Sequence, residues 1–151
     1  MMKKLRKILP PTIFYTMMCI NIVLYFIIPI PRLFDFPFNL LGSIPLISGI
    51  FLNIWTDEYL KKFKTTVKLD KIPSRLITLG PFSFSRHPMY LGMGLILFGE
   101  ALLFGALVNF IVPIVFIFYI EKIFMPFEER TLLTWFPKDY MEYKRNVRRW
   151  M

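Results

Sequence analysis

Residues 79–92 contain the closest grouping of side chains capable of chemistry. Arg86 and His87 directly precede Pro88, which suits the first position of a helix because the N–H that it lacks would be unpaired there. The spacing predicts a guanidinium and an imidazole at a helix N-terminus, where a carboxylate or a phosphate binds favourably. Tyr90 is expected on the same helix face as His87. The same residues also suit a lipid-headgroup interface, with snorkelling cations and an aromatic belt.

A second group of ionisable side chains is acidic. Glu128 and Glu129 follow Pro126 in an otherwise basic part of the chain, where they could accept hydrogen bonds from the hydroxyl or amino groups of a ligand. They could equally be acids in the first turn of a helix, where they would pair with Arg130. Glu100 lies within an apolar stretch, where an ionisable residue indicates either function or a structural hydrogen bond. We treat Glu100 and Arg130 as candidate substrate-binding residues.

The composition restricts the class of protein that these residues serve. Of the 151 residues, 56% are hydrophobic, 18% are aromatic and only 19% are charged, and the mean hydropathy is +0.53. A soluble domain of this composition would expose too much apolar surface, so we predict an integral membrane protein. The single cysteine, Cys19, excludes an intramolecular disulfide, and the single histidine excludes a multi-histidine metal site, so no metal is predicted.

The apolar runs predict an all-α helical bundle of about four transmembrane helices in a single domain. Runs approaching 20 residues match a hydrocarbon core about 30 Å thick. The apolar stretch 88–120 is too long for one span, and Gly105–Asn109 offers a turn near its middle. The predicted spans are residues 10–30, 36–56, 88–104 and 108–124, with a cytoplasmic loop at 57–87 and an amphipathic tail at 126–151.

The positive charges are distributed on one side of this topology. All but one of the 19 Lys and Arg residues fall before the first span, in the loop 57–87 or after Ile120 at the end of the last apolar run, and the exception is Arg32. Because positively charged loops remain cytoplasmic, both termini are predicted to be cytoplasmic. Contact with anionic lipid headgroups then accounts for the net charge of +9 without nucleic acid as a partner.

Aromatic residues recur at helical spacing in the tail. Phe136, Tyr140, Tyr143 and Val147 fall at i, i+4, i+7 and i+11. This spacing predicts an amphipathic helix, suited either to the membrane interface or to packing beneath the bundle.

Two motifs in the same order carry a resemblance to a known superfamily. The first is RHPxYxG, and the second, after an apolar hairpin, is EExxLxxxF followed by YxxYxxxVxR. This pattern resembles the isoprenylcysteine carboxyl methyltransferase and phospholipid methyltransferase superfamily. The positions that match are Arg86, His87, Pro88, Tyr90 and Gly92, and then Glu128, Glu129, Leu132, Phe136, Tyr140, Tyr143, Val147 and Arg149.

The resemblance implies an S-adenosylmethionine-dependent methyltransferase that acts on a membrane-embedded or lipid-linked substrate. The cofactor would lie on the cytoplasmic side, with His87, Tyr90, Glu128 and Glu129 as contacts, and Arg86 suits its carboxylate. The resemblance identifies no catalytic residue and no oligomeric state.

Two alternatives remain open at this point. One is an NADPH-dependent sterol-type membrane reductase, which has a similar RxPxY segment but usually an acidic residue soon after the glycine, where this chain has Met93 after Gly92. The other is a non-catalytic membrane scaffold, which the short chain favours.

Overall fold

The computed structural model describes residues 10–28, 32–63 and 74–151. The end of the predicted first span, the basic residues 1–9 and the middle of the predicted loop lie outside these ranges. The described residues are mainly helical and contain no β-strand. The α-helices are α1 (Pro10–Ile27), α2 (Ser43–Lys62), α3 (Pro88–Phe104), α4 (Ile111–Tyr119), α5 (Met125–Trp135) and α6 (Pro137–Asn146).

The described helices include three that are long and apolar enough to cross a membrane. They are Pro10–Ile27, Phe38–Lys62 and Leu107–Trp135. Helix α3 has 17 residues, about 26 Å, and is also apolar. This confirms the predicted all-α membrane bundle. The second span differs from its predicted limits, because α2 continues to Lys62, six residues into the predicted loop.

Helices α2 and α3 pack with their backbones in close contact. A Cβ atom on Gly49 would lie 2.5 Å from the carbonyl oxygen of Gly92, and one on Gly99 would lie 2.6 Å from that of Gly42. Only glycine permits this approach, which is typical of helix pairs in lipid. The interface fixes α3 and therefore the position of the segment that precedes it.

The other face of α3 forms the core with α1 and α4. Leu97, Phe116 and Ile120 are completely buried there, and Phe14 of α1 packs against them. The turn between α3 and α4 lies where the sequence places it. Gly105 ends α3 with a φ of +71°, and its N–H donates a hydrogen bond to the carbonyl oxygen of Ala101.

The predicted amphipathic tail is divided between two helices. A π-helical turn, Ile120–Phe124, joins α4 to α5, so the fourth span continues to Trp135. The helix ends there because proline disfavours helical geometry in the residue before it, and Phe136 precedes Pro137. Helix α6 then buries Tyr140 and Tyr143 beneath the bundle. Of the two environments predicted for the tail, its aromatic face therefore occupies the one beneath the bundle.

Candidate functional site

The candidate site forms where the N-terminus of α3 meets the first turn of α5. His87 is the residue immediately before α3, and Pro88 occupies the first helical position, as the sequence predicts. Pro126 stands near the start of α5 and places Glu128 and Glu129 in its first turns. The structure brings together all five residues predicted to bind a cofactor and adds Arg149. We call this set of six residues the polar cluster: Arg86, His87, Tyr90, Glu128, Glu129 and Arg149.

Glu128 binds the side chains that α3 presents. The Tyr90 hydroxyl donates a hydrogen bond to Glu128 Oε1, and His87 Nδ1 lies 3.2 Å from Glu128 Oε2. The rings of His87 and Tyr90 are stacked, with centroids 5.7 Å apart. One carboxylate therefore holds the imidazole and the phenol in a fixed relation to each other.

Glu129 is bound mainly by arginine. Arg149 donates from Nε to Oε1 at 2.9 Å and from Nη2 to Oε2 at 3.0 Å, a bidentate geometry. Arg86 Nη1 lies 3.3 Å from Oε1, and His87 Nε2 lies 3.5 Å from the same oxygen. The Glu129 side chain is only 9% exposed. It is the carboxylate that the two guanidinium groups share.

The environment alters the proton affinity of two nearby groups. Burial alone would lower the pKa of His87, but its hydrogen bonds to Glu128 and Glu129 and their negative charges hold that pKa above its usual value. Burial, together with the charge of Glu129, raises the pKa of Tyr140 to about 12. The site therefore favours a protonated imidazole, and Tyr140 remains a neutral phenol that accepts a hydrogen bond from Arg86 Nη1.

The C-terminal segment, residues 147–151, positions Arg149. The backbone N–H of Arg86 donates to the carbonyl oxygen of Arg148 at 3.1 Å, and Ser85 Oγ donates to that of Arg149 at 3.2 Å. Sequence reasoning placed Arg149 in a motif but did not include it among the site residues. Its position as the last residue of the second motif, 20 residues after Glu129, is the signal that could have identified it.

The buried Arg86 Nε has no hydrogen-bond partner, and the buried His87 Nε2 has only the long contact of 3.5 Å to Glu129 Oε1. Buried donors are normally satisfied, so these atoms indicate room for an acceptor supplied by a ligand. The cluster can therefore offer donors to a carboxylate, and the Glu128 carboxylate can accept from hydroxyl or amino groups. The described residues contain no group of three or more His, Cys, Asp or Glu side chains arranged to hold a metal ion.

The two predicted substrate-binding residues do not join this cluster. Glu100 is 13 residues after His87 along α3, a rise of about 20 Å. Its Oε2 accepts a hydrogen bond from Asn21 Nδ2 at 3.0 Å, and Asn109 Nδ2 donates to Asn21 Oδ1 at 2.7 Å. Arg130 is exposed on α5. Glu100 thus has the structural hydrogen bond that the sequence left open.

Comparison with known proteins gives two matches. The model of the family described as phospholipid methyltransferase matches residues 38–139. The protein-S-isoprenylcysteine O-methyltransferase of Saccharomyces cerevisiae is 39% identical over 75 residues. This alignment covers 48% of the chain and 30% of the yeast protein, so the chain spans less than a third of that relative. No solved structure matches the chain.

Proposed function

The chain belongs to the phospholipid methyltransferase family, and on that basis we propose that it transfers a methyl group from S-adenosylmethionine to a membrane-embedded or lipid-linked acceptor. The family match confirms the resemblance drawn from the two motifs. The name of the yeast relative adds that the acceptor of that protein is an isoprenylcysteine. An isoprenylcysteine derivative is therefore the first acceptor to test here.

The observation that supports this proposal most directly is the polar cluster at the N-terminus of α3. S-adenosylmethionine has a carboxylate, an amino group, ribose hydroxyls and a positively charged sulfonium. Arg86, whose buried Nε has no partner, and His87, whose Nε2 has only a long contact to Glu129, suit the carboxylate. Glu128 suits the ribose hydroxyls or the amino group. The residues present therefore fit the cofactor in charge and in hydrogen-bonding type.

The protein would act by positioning the reactants. The cofactor, when bound, supplies a methyl group already activated on its sulfonium. Tyr90 and His87 are held by Glu128, and Glu129 is held by Arg149, so the groups that would orient the cofactor have fixed geometry. Well-held geometry can contribute about 7 to 11 kcal/mol to a reaction between two bound partners.

The proposed arrangement in the membrane has the cluster on the cytoplasmic side. The one-sided distribution of Lys and Arg supports this orientation, because the loop 57–87 and the tail are the basic segments. The cofactor would then enter from the cytoplasm, and the acceptor would enter from the bilayer.

Isothermal titration with S-adenosylmethionine in detergent tests the proposal. We expect the wild-type protein to bind, and Glu128→Gln to weaken binding about ten- to a hundredfold, the value of one charge-assisted hydrogen bond. Glu142→Gln is the matched control, because Glu142 is exposed on α6. Equal losses in both variants would mean that the acids act only through net charge.

The same titration with NADPH separates the alternatives. Binding of NADPH and not of S-adenosylmethionine would identify a reductase. Binding of neither, by a monodisperse protein, would favour a scaffold. Both results would refute the proposed methyl transfer.

A further inference from the structure

Arg86 and Tyr140 form a buried contact that the proposed function leaves without a role. Tyr140 is only 2% exposed, and its hydroxyl oxygen accepts a hydrogen bond from Arg86 Nη1 at 3.3 Å. Arg86 stands just before α3, and Tyr140 lies on α6, 54 residues later in the chain. The contact therefore links the start of α3 to the helix that packs beneath the bundle.

The charge of Arg86 is only partly compensated by the nearest carboxylate. Glu129 accepts two hydrogen bonds from Arg149, at 2.9 and 3.0 Å, whereas Arg86 Nη1 lies 3.3 Å from Glu129 Oε1. One negative charge thus serves two guanidinium groups, and Arg149 has the closer contact. The Arg86 side chain is 8% exposed, so salt and water screen the remaining positive charge weakly. Arg86 therefore keeps positive charge for an anionic ligand.

Tyr140 holds this guanidinium without adding a negative charge. Burial and the charge of Glu129 raise the pKa of Tyr140 to about 12, so its phenol is neutral at physiological pH. A carboxylate in the same place would orient the guanidinium but would also neutralise it. A neutral hydroxyl oxygen fixes Nη1 through one hydrogen bond and leaves the charge of Arg86 available.

The contacts at Nη1 leave another edge of the Arg86 guanidinium free. Tyr140 and Glu129 both approach Nη1, whereas the buried Nε has no hydrogen-bond partner. The guanidinium is planar and its donors form a rigid fork. Because Nη1 is held at one end and the side-chain stem at the other, the direction of the Nε–H is determined as well.

We propose that Tyr140 is a positioning residue, which holds Arg86 so that its Nε–H is directed at the carboxylate of the bound cofactor. The inference rests on the proposed function and adds to it a residue that acts through Arg86. Tyr140 would thereby favour ligands that carry the carboxylate, through both the direction and the undiminished charge of the guanidinium.

Tyr143 provides a matched control on the same helix. It is 6% exposed, and its hydroxyl donates a hydrogen bond to the backbone carbonyl oxygen of Phe82 at 2.6 Å. Tyr143→Phe therefore removes a buried hydroxyl from α6, as Tyr140→Phe does, but leaves the contact with Arg86 in place. A loss of binding common to both variants would be a consequence of weakened folding.

Two ligands that differ only in the carboxylate separate positioning from folding. Isothermal titration in detergent compares S-adenosylmethionine with its decarboxylated analogue in the wild type and in each variant. Tyr140→Phe is expected to weaken binding of S-adenosylmethionine about two- to tenfold, the range for one hydrogen bond, and to leave the affinity for the analogue unchanged. Tyr143→Phe should leave the ratio of the two affinities at the wild-type value.

A double-mutant cycle shows whether Tyr140 acts through Arg86. Arg86→Met removes the guanidinium but keeps an unbranched side chain, and it should reduce the preference for S-adenosylmethionine over the decarboxylated analogue. In the Arg86→Met background, Tyr140→Phe should cause no further loss, because the hydroxyl has no guanidinium left to orient. A loss as large as that measured in the wild-type background would overturn the inference.

Three further results would refute the positioning role. Equal losses for both ligands in Tyr140→Phe would mean that the hydroxyl serves the fold only. Unchanged affinities in Tyr140→Phe would mean that Arg86 needs no hydroxyl to orient it. A preference for the carboxylate that persists in full in Arg86→Met would refute the inference whether or not Tyr140→Phe folds. Absent binding of both ligands by the wild type would instead refute the proposed function, and the inference that rests on it falls too.

Discussion

Removal of the Glu129 charge should destabilise the folded protein more than any other single change in the polar cluster. In Glu129→Gln, the shape of the side chain is kept, but Arg86 and Arg149 lose their shared carboxylate. Breaking a buried ion pair by removing one partner costs about 3 to 5 kcal/mol, because the remaining charge is left uncompensated. Arg149→Gln should cost less, about 1.5 to 3 kcal/mol, since Glu129 keeps Arg86 as a partner.

A double-mutant cycle measures the interaction between Glu129 and Arg149. The free energy of unfolding is determined in mixed detergent micelles for the wild type, the two single variants and the double variant. The double variant should be less destabilised than the sum of the single ones by about 1.5 kcal/mol or more, because the two residues share two hydrogen bonds. The control cycle uses Asp57 and Lys61, whose side chains are 49% and 73% exposed. Such an exposed pair contributes about 0.3 to 0.5 kcal/mol.

Two results would refute this reasoning. A coupling energy no larger than that of the exposed control pair would mean that Arg149 does not bind Glu129 in the folded protein. A Glu129→Gln variant as stable as Asp57→Asn would mean that the carboxylate is hydrated, contrary to its burial.

Three further predictions concern packing, protonation and topology. Gly99→Ala should lower the free energy of unfolding by about 1 to 3 kcal/mol, whereas Gly94→Ala should raise it by about 0.5 to 1 kcal/mol. Equal effects of the two substitutions in unfolding titrations would contradict the close α2–α3 contact. Because the pKa of His87 is raised in the folded protein, protonation of its imidazole stabilises the fold. This contribution to the free energy of unfolding is complete below pH 6.5 and is lost as the pH rises through the folded-state pKa. The stability difference between wild type and His87→Gln should therefore shrink above pH 6.5, and a difference independent of pH would refute this. In intact cells, a single cysteine at Leu107 should react with an impermeant reagent and one at Met151 should not, although both positions are exposed. The reverse labelling pattern would show that the chain has the opposite orientation in the membrane.

The start of α3 was predictable because local chemistry determines it. Pro88 fits only a limited set of positions in a helix, and the apolar run that follows has the length of a span. The proximity of the two motifs followed from the resemblance, since spacing alone does not determine which helix ends meet. The roles of Glu128 and Glu129 could not be distinguished in advance. Consecutive residues on a helix point about 100° apart, so their partners depend on which elements flank α5.

In the tail, a proline interrupts the predicted helix, but the aromatic residues keep a common buried face. The spacing of Phe136, Tyr140 and Tyr143 predicted one helix, and Pro137 interrupts it by forcing Phe136 out of helical geometry. The same proline begins α6, so Tyr140 and Tyr143 keep a common buried face. For Glu100, the sequence indicated an unusual polar group in an apolar helix, but its partner Asn21 lies 79 residues away. Such a pairing depends on how the helices pack.

The C-terminal segment connects the two halves of the proposed site. Arg149 directs its guanidinium to Glu129 in the polar cluster, while the next residue, Trp150, packs against the core formed by α1, α3 and α4. The backbone of Arg148 is fixed by a hydrogen bond from the N–H of Arg86, which is itself a cluster residue. A shift of this segment would therefore change the charge balance around Glu129 and the backbone contact to Arg86 together. Because Arg86 and Glu129 both belong to the polar cluster, the C-terminal segment fixes the relative position of the two helix ends that would hold the cofactor.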